Sequence, residues 1–192
     1  MEMHEKFNIL ESRIKEPSFL QNKGMANDES YFIFDYDPKE EMVVREEIRR
    51  LKDKINNNPN FGFKIIEFDL YEILIKLLEE EDFLDDIFGL ESEDGTESII
   101  EIIADALSLQ TESNEIVNYI IEHAEEDSIL FLTGVGKAYP LIRSHNILNN
   151  LNQQMDEVAI VIFYPGTFSG LDLVLFNKLE DNNYYRGKNI VD

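Results

Sequence analysis

The chain's 192 residues suit one domain spanning residues 1–192 with a single substantial core. The absence of cysteine excludes disulfides, thiol catalysis and cysteine zinc sites, and His4, His123 and His145 lack the paired spacing of a metal cage, so no cofactor or metal is expected. A formal charge of −23, with 40 acidic against 17 basic residues, repels free nucleic acid; no apolar run approaches a membrane span or secretion signal, and a soluble, cytoplasmic protein is expected.

The first element is an amphipathic helix over His4 to Phe19, with apolar groups at Phe7, Leu10 and Ile14 and a bend or stop at Pro17. A polar connector leads to the aromatic strand Tyr31-Phe-Ile-Phe-Asp-Tyr36. Asp37-Pro-Lys-Glu40 supplies an N-cap, a proline at the first helical position and a glutamate at the third, and predicts a helix from Pro38 to Asn56. Within it, Arg45, Arg49, Arg50, Lys52 and Lys54 form a basic patch. It reads either as an accessory nucleic-acid contact or as intrahelical ion pairing with Glu41, Glu46 and other carboxylates.

A turn around Pro59 precedes a strand over Phe61 to Asp69, which runs into an apolar helix from Leu70 to Glu79. Strand, helix, strand, helix is the βαβ order. Between Leu77 and Gly136 there is no lysine or arginine but 18 of the 40 acidic residues. This stretch, about residues 77–127, is expected to hold two or three helices broken at Gly89 and Asp94-Gly95, with Glu97 to Leu107 and Glu112 to Ala124 the clearest. It reads as a solvated face or as a docking surface for a basic partner.

Ile129 to Thr133 predicts a central strand, followed by a glycine turn and a helix through Tyr139 to Leu148. Glu157 to Gly166 suits an interior parallel strand. Leu171 to Phe176 reads as a short strand or a helical turn, and Asn189-Ile-Val191 as an edge strand or packed tail. The expected fold is α/β: a three-layer Rossmann-like arrangement with a mostly parallel sheet of about five strands and an acidic helical insertion.

In such a sheet the loops after successive strands collect along one edge. That edge would gather Asp35 and Asp37, Asp69, Thr133-Gly-Val-Gly-Lys137 and the glycine-rich exit Tyr164 to Ser169, which includes Thr167 and Ser169. Three carboxylates beside a lysine and a threonine could hold magnesium or move protons. They could equally cap helices and satisfy backbone donors at strand ends, with Lys137 neutralising one of them.

The glycine turn departs from known nucleotide motifs. A Walker A loop needs glycine where Phe131 stands and serine or threonine where Ala138 stands, and a dinucleotide turn needs glycine at Tyr139. Gly134 and Gly136 could still serve a differently used phosphate loop. Gly166-Thr-Phe-Ser-Gly170 is not the hydrolase elbow, because two residues separate its first glycine from the serine. Arg143 could grip a phosphate or carboxylate, or anchor its helix to a strand-end aspartate. His145 is of the residue type whose reference pKa lies near neutrality and could act as a base, but it has no triad partner at a recognisable spacing. No residue is assigned a catalytic role; the strand-end crevice is a candidate ligand or partner site.

The blocks Asn22-Lys-Gly-Met-Ala-Asn-Asp28, Tyr31 to Tyr36, Phe68-Asp-Leu-Tyr71, Phe131 to His145, Leu148-Asn-Asn-Leu151, Phe163 to Gly170 and Asp181-Asn-Asn-Tyr-Tyr-Arg186 together resemble the BrxB family over nearly the whole chain. The resemblance implies a small cytoplasmic component of BREX bacteriophage exclusion systems. Their loci also encode a large ATPase, a DNA adenine methyltransferase and an alkaline-phosphatase-like protein, the implied partners. It implies a non-catalytic assembly or adaptor role, and brings no catalytic residue with it. The alternatives left open by the residues are a nucleotide- or phosphate-binding sensor or enzyme at the strand-end crevice, and an accessory DNA-binding subunit.

Overall fold

A computed structural model describes residues 1–21, 31–155, 158–181 and 187–191, so the resembling blocks at 22–28 and 182–186 fall outside the described residues. Among the described residues, five strands form a parallel sheet in the order β2-β3-β4-β1-β7: β1 (Tyr31–Tyr36), β2 (Lys64–Asp69), β3 (Ser128–Thr133), β4 (Ala159–Phe168) and β7 (Gly187–Asn189). Two short strands, β5 (Leu173–Leu175) and β6 (Leu179–Asp181), extend β4 in antiparallel pairing. The fold is therefore mixed α/β with a mostly parallel central sheet.

Side-chain alternation along the inner strands builds a core on each face. Ile129 and Phe131 of β3 and Val161 and Phe163 of β4 join one cluster, whereas Leu130, Leu132, Ile160 and Ile162 join the other. Against the first face pack α1 (Met3–Ile14) and α3 (Glu41–Asn56), through Phe7, Leu10 and Ile14 and through Val44, Ile48, Leu51 and Ile55, spacings of three and four that keep one helical stripe apolar. Phe34 and Phe131 both pack against Phe163, with ring centroids 5.1 and 4.9 Å away. Each such buried side chain contributes about 1.5–3 kcal/mol of transfer free energy.

The second face carries the connection from β2 to β3. It begins with α4 (Leu70–Glu80), whose Leu70, Ile73, Leu74 and Leu78 are buried, and continues through α5 (Leu84–Asp94), α6 (Thr96–Ala106) and α7 (Glu115–His123). These are the acidic helices expected from the sequence. Gly89 does not break them: α5 runs through it, because Ile87 and Leu90 draw that turn onto the core, and the break falls at Gly95.

Two other expectations are corrected. The helix foreseen over Tyr139 to Leu148 is divided into α8 (Val135–Ala138) and α9 (Ser144–Gln154). Pro140 has no N–H and pushes Tyr139 out of the helical region, to φ −71° and ψ 137°; the Tyr139–Pro140 peptide is cis. The glycine-rich exit at Tyr164 to Ser169 is strand as far as Phe168, and the chain turns only after it. Gly166 permits this pairing: a Cβ there would lie 2.0 Å from the Val174 carbonyl oxygen. Pro38–Glu40 is a short 3-10 turn ahead of α3, with Asp37 accepting from the Lys39 N–H at 3.0 Å as the foreseen cap.

Candidate functional site

The strand order separates the carboxylates that the sequence placed together. β1 and β2 have β4 and β3 between them, so Asp35 and Asp69 stand about 14 Å apart, three strand spacings. Among the described residues, no group of three His, Asp or Glu side chains is arranged to hold a metal.

Asp35 is half-buried and engaged on every side. Its carboxylate accepts from Lys6 Nζ at 3.2 Å, from the Phe168 N–H at 3.1 Å and from Asn189 Nδ2 at 3.4 Å, and Lys6 also donates to its carbonyl. One side chain thus joins α1, the end of β4 and the edge strand β7.

Asp69 ends β2 and caps α4, accepting from the N–H groups of Tyr71 at 3.1 Å and Glu72 at 3.2 Å. Lys137 of α8 reaches across to it at 2.7 Å and to Glu72 at 3.1 Å. Burial disfavours the charged lysine, but the two carboxylates outweigh it and hold its pKa above the usual lysine range. Gly134 makes the approach possible. Its φ is +75°, and a Cβ there would sit 2.2 Å from Asp69 Oδ1.

Thr133, buried at the end of β3, donates to Glu67 Oε1 at 3.0 Å, and Lys52 of α3 pairs with Glu67 Oε2 at 2.7 Å. Tyr36 at the end of β1 donates to Glu41 at 2.5 Å, and Glu41 holds Arg45 at 2.8 Å. Burial, then the Glu41 carboxylate, raise the Tyr36 pKa far above the usual phenol range. A cavity of about 160 Å³ opens here under α3, lined by Tyr36, Arg49, Lys52, Glu67, Asp69 and Thr133 among others. Glu67, Glu72 and the Tyr36 hydroxyl were not singled out from the sequence, and Glu41 was expected only as a partner for the α3 cations. Glu67 carries no local motif, and the Tyr36–Glu41 contact depends on how α3 leaves β1.

The remaining candidates lie elsewhere. Gly136 faces Pro165 and Phe176. Thr167 donates to Asn177 Oδ1 at 2.7 Å, and Ser169 Oγ accepts from the Asp172 N–H at 3.0 Å, closing the turn between β4 and β5. Arg143 does not anchor α9 to a strand-end aspartate. It is exposed before α9 and borders a separate small cavity with Ile100, Leu109 and Pro140. His145 is half-buried in the first turn of α9.

Four of the five α3 cations are ion-paired, only partly within the helix. Arg45 holds Glu41 as expected and Arg50 pairs with Glu47 at 2.6 Å, but Lys52 reaches Glu67 of β2 and Lys54 reaches Glu11 of α1 at 2.5 Å. Among the described residues, no helix is long and apolar enough to cross a membrane.

The family model for "BREX protein BrxB" matches residues 66–190. The chain is similar to BREX protein BrxB of Bacillus cereus (strain H3081.97), 41% identical over 190 residues that cover 99% of this chain and 98% of the relative. It is also similar to BREX protein BrxB of Escherichia coli O9:H4 (strain HS), 31% identical over 182 residues that cover 95% and 88%. No solved structure matches. With agreement this long in two relatives and a family model spanning β2 to the strand after β6, the chain belongs to the BrxB family.

Proposed function

We propose that this chain is a non-catalytic assembly or adaptor component of a multiprotein BREX-type phage defence system, acting in the cytoplasm as one domain over residues 1–192. The observation that carries the reading is the employment of the strand-end groups. Asp35 joins three elements, Asp69 caps a helix and holds Lys137, and Thr133 holds Glu67. Each already has a structural task that accounts for its position. Its partners in this reading are the other components of the defence locus: the large ATPase, the adenine methyltransferase and the alkaline-phosphatase-like protein.

A phosphate-ligand sensor at the crevice is the competing reading. It would require Lys137 to leave two carboxylates, at 2.7 and 3.1 Å, for its ligand. DNA binding is disfavoured by the acidic field and by the pairing of the α3 cations.

The test replaces Lys137→Ala and, separately, Lys137→Gln in cells carrying the complete locus and measures phage plating. Protection that persists in folded, normally expressed variants is expected. Protection abolished while the protein still copurifies with its partners would transfer the function to crevice chemistry.

A further inference from the structure

Three large apolar side chains face solvent on the acidic helices. Phe83, directly before α5, is 42% exposed, Phe88 within α5 is 53% exposed and Ile102 in α6 is 41% exposed. Their neighbours Ile87, Ile99 and Ile103 are buried, so both helices are firmly seated on the core. A lone exposed apolar residue is ordinary. Three on or directly before two consecutive helices separated only by Gly95 leave the α5–α6 surface with unpartnered apolar side chains.

Charge identifies what covers it. The same two helices carry Asp85, Asp86, Glu91, Glu93, Asp94, Glu97, Glu101 and Asp105 and no basic residue. Among the described residues, no carboxylate from Glu81 to Glu122 takes part in an ion pair, the flanking pairs being Lys76 with Glu80 and Lys64 with Glu125. The same face of a second copy would bring charge of the same sign, and nucleic acid would do so too. The second copy's α3 has four of its five cations tied to carboxylates within the chain, so it offers little in exchange. A basic protein surface is the occupant that gains from this field.

We propose that the α5–α6 face docks a lysine- or arginine-rich surface of another protein, one that also carries an apolar residue to cover Phe88 and Ile102. This rests on the assembly reading and gives it a surface. The division of labour follows from the physics: desolvation of the apolar side chains sets how long the complex lasts, and the carboxylates steer its formation.

Purified wild-type protein is titrated with each purified component of the defence locus at about 50 mM NaCl, where screening is weak. The same is done for the double variant Phe88→Ser with Ile102→Ser, and for a variant with Asp85→Asn, Asp86→Asn, Glu101→Gln and Asp105→Asn. The apolar variant is expected to bind at least about tenfold more weakly through faster dissociation, and the neutralised variant to associate more slowly with less dependence on salt. Amide hydrogen exchange in the wild-type complex should show new protection over residues 84–106, a readout independent of how the variants fold. A complex that forms with unchanged affinity and rate in both variants, without that protection, overturns this surface and leaves the assembly reading standing. Failure of the wild type to bind any component overturns both.

Discussion

Asp35 shows how much structure one side chain can hold. Replacing it with alanine strands Lys6, a residue whose side chain is only 20% exposed, and leaves the Phe168 N–H without its acceptor. Asp35→Ala should therefore lower unfolding free energy by about 2–4 kcal/mol in urea titration; a change under about 0.5 kcal/mol would show the network to be incidental. Gly134→Ala should cost at least about 2 kcal/mol, because the left-handed backbone and the Asp69 carboxylate both oppose the new methyl. The raised pKa values of Tyr36 and Lys137 have a definite sign. Both groups bind protons more tightly folded than unfolded, so their contribution is complete below about pH 10 and is lost as pH rises through the folded values. Thermal unfolding followed from pH 9 upward should show stability falling with alkali, less steeply in Tyr36→Phe.

At the level of elements, the caps carry similar weight. Asn114 is fully buried, accepts from the Ile116 and Val117 N–H groups at 3.0 and 3.2 Å and donates to the Leu109 carbonyl at 2.9 Å. Asn114→Ala should cost about 1–3 kcal/mol and should loosen α7 first, seen as faster amide exchange there. Elements with a local cause were legible in the sequence: the stripe of α3, the Asp37 cap ahead of it, and the apolar runs of β3 and β4. Elements that depend on tertiary pairing were not. Gly166 looked like a turn because its strand role is set by the Val174 backbone, more than seven residues away. The break at Pro140 is of the local kind, since the proline acts on the adjacent Tyr139. The candidate site suffered most: Asp35 and Asp69 are both at strand ends, but only the strand order separates them by two intervening strands.

For the whole molecule, the charge of −23 is a standing cost that the fold relieves only in part. Adding salt up to about 0.3 M should raise the melting temperature, because screening weakens repulsion among unpaired acidic helices more than it weakens the partly buried pairs. A fall with salt would mean that ion pairs dominate. In acid, the Glu11 contribution works the other way. Burial alone would raise its pKa, but bonds to Lys15 and Lys54 lower it, so its stabilisation is present above about pH 4.3 and is lost as pH falls through the lower folded value. Strands β1, β3 and β4 serve both clusters, which supports the proposed single domain and predicts one cooperative unfolding transition, with calorimetric and van't Hoff enthalpies in agreement.

The assembly role is tested most directly by affinity purification of this protein from cells carrying its complete defence locus, at about 50 mM NaCl, followed by mass measurement of the intact complex. The account predicts a defined stoichiometric complex with at least one locus-encoded component, weakening as salt is raised. A protein recovered alone under these conditions, or alone with a bound metabolite, would contradict it.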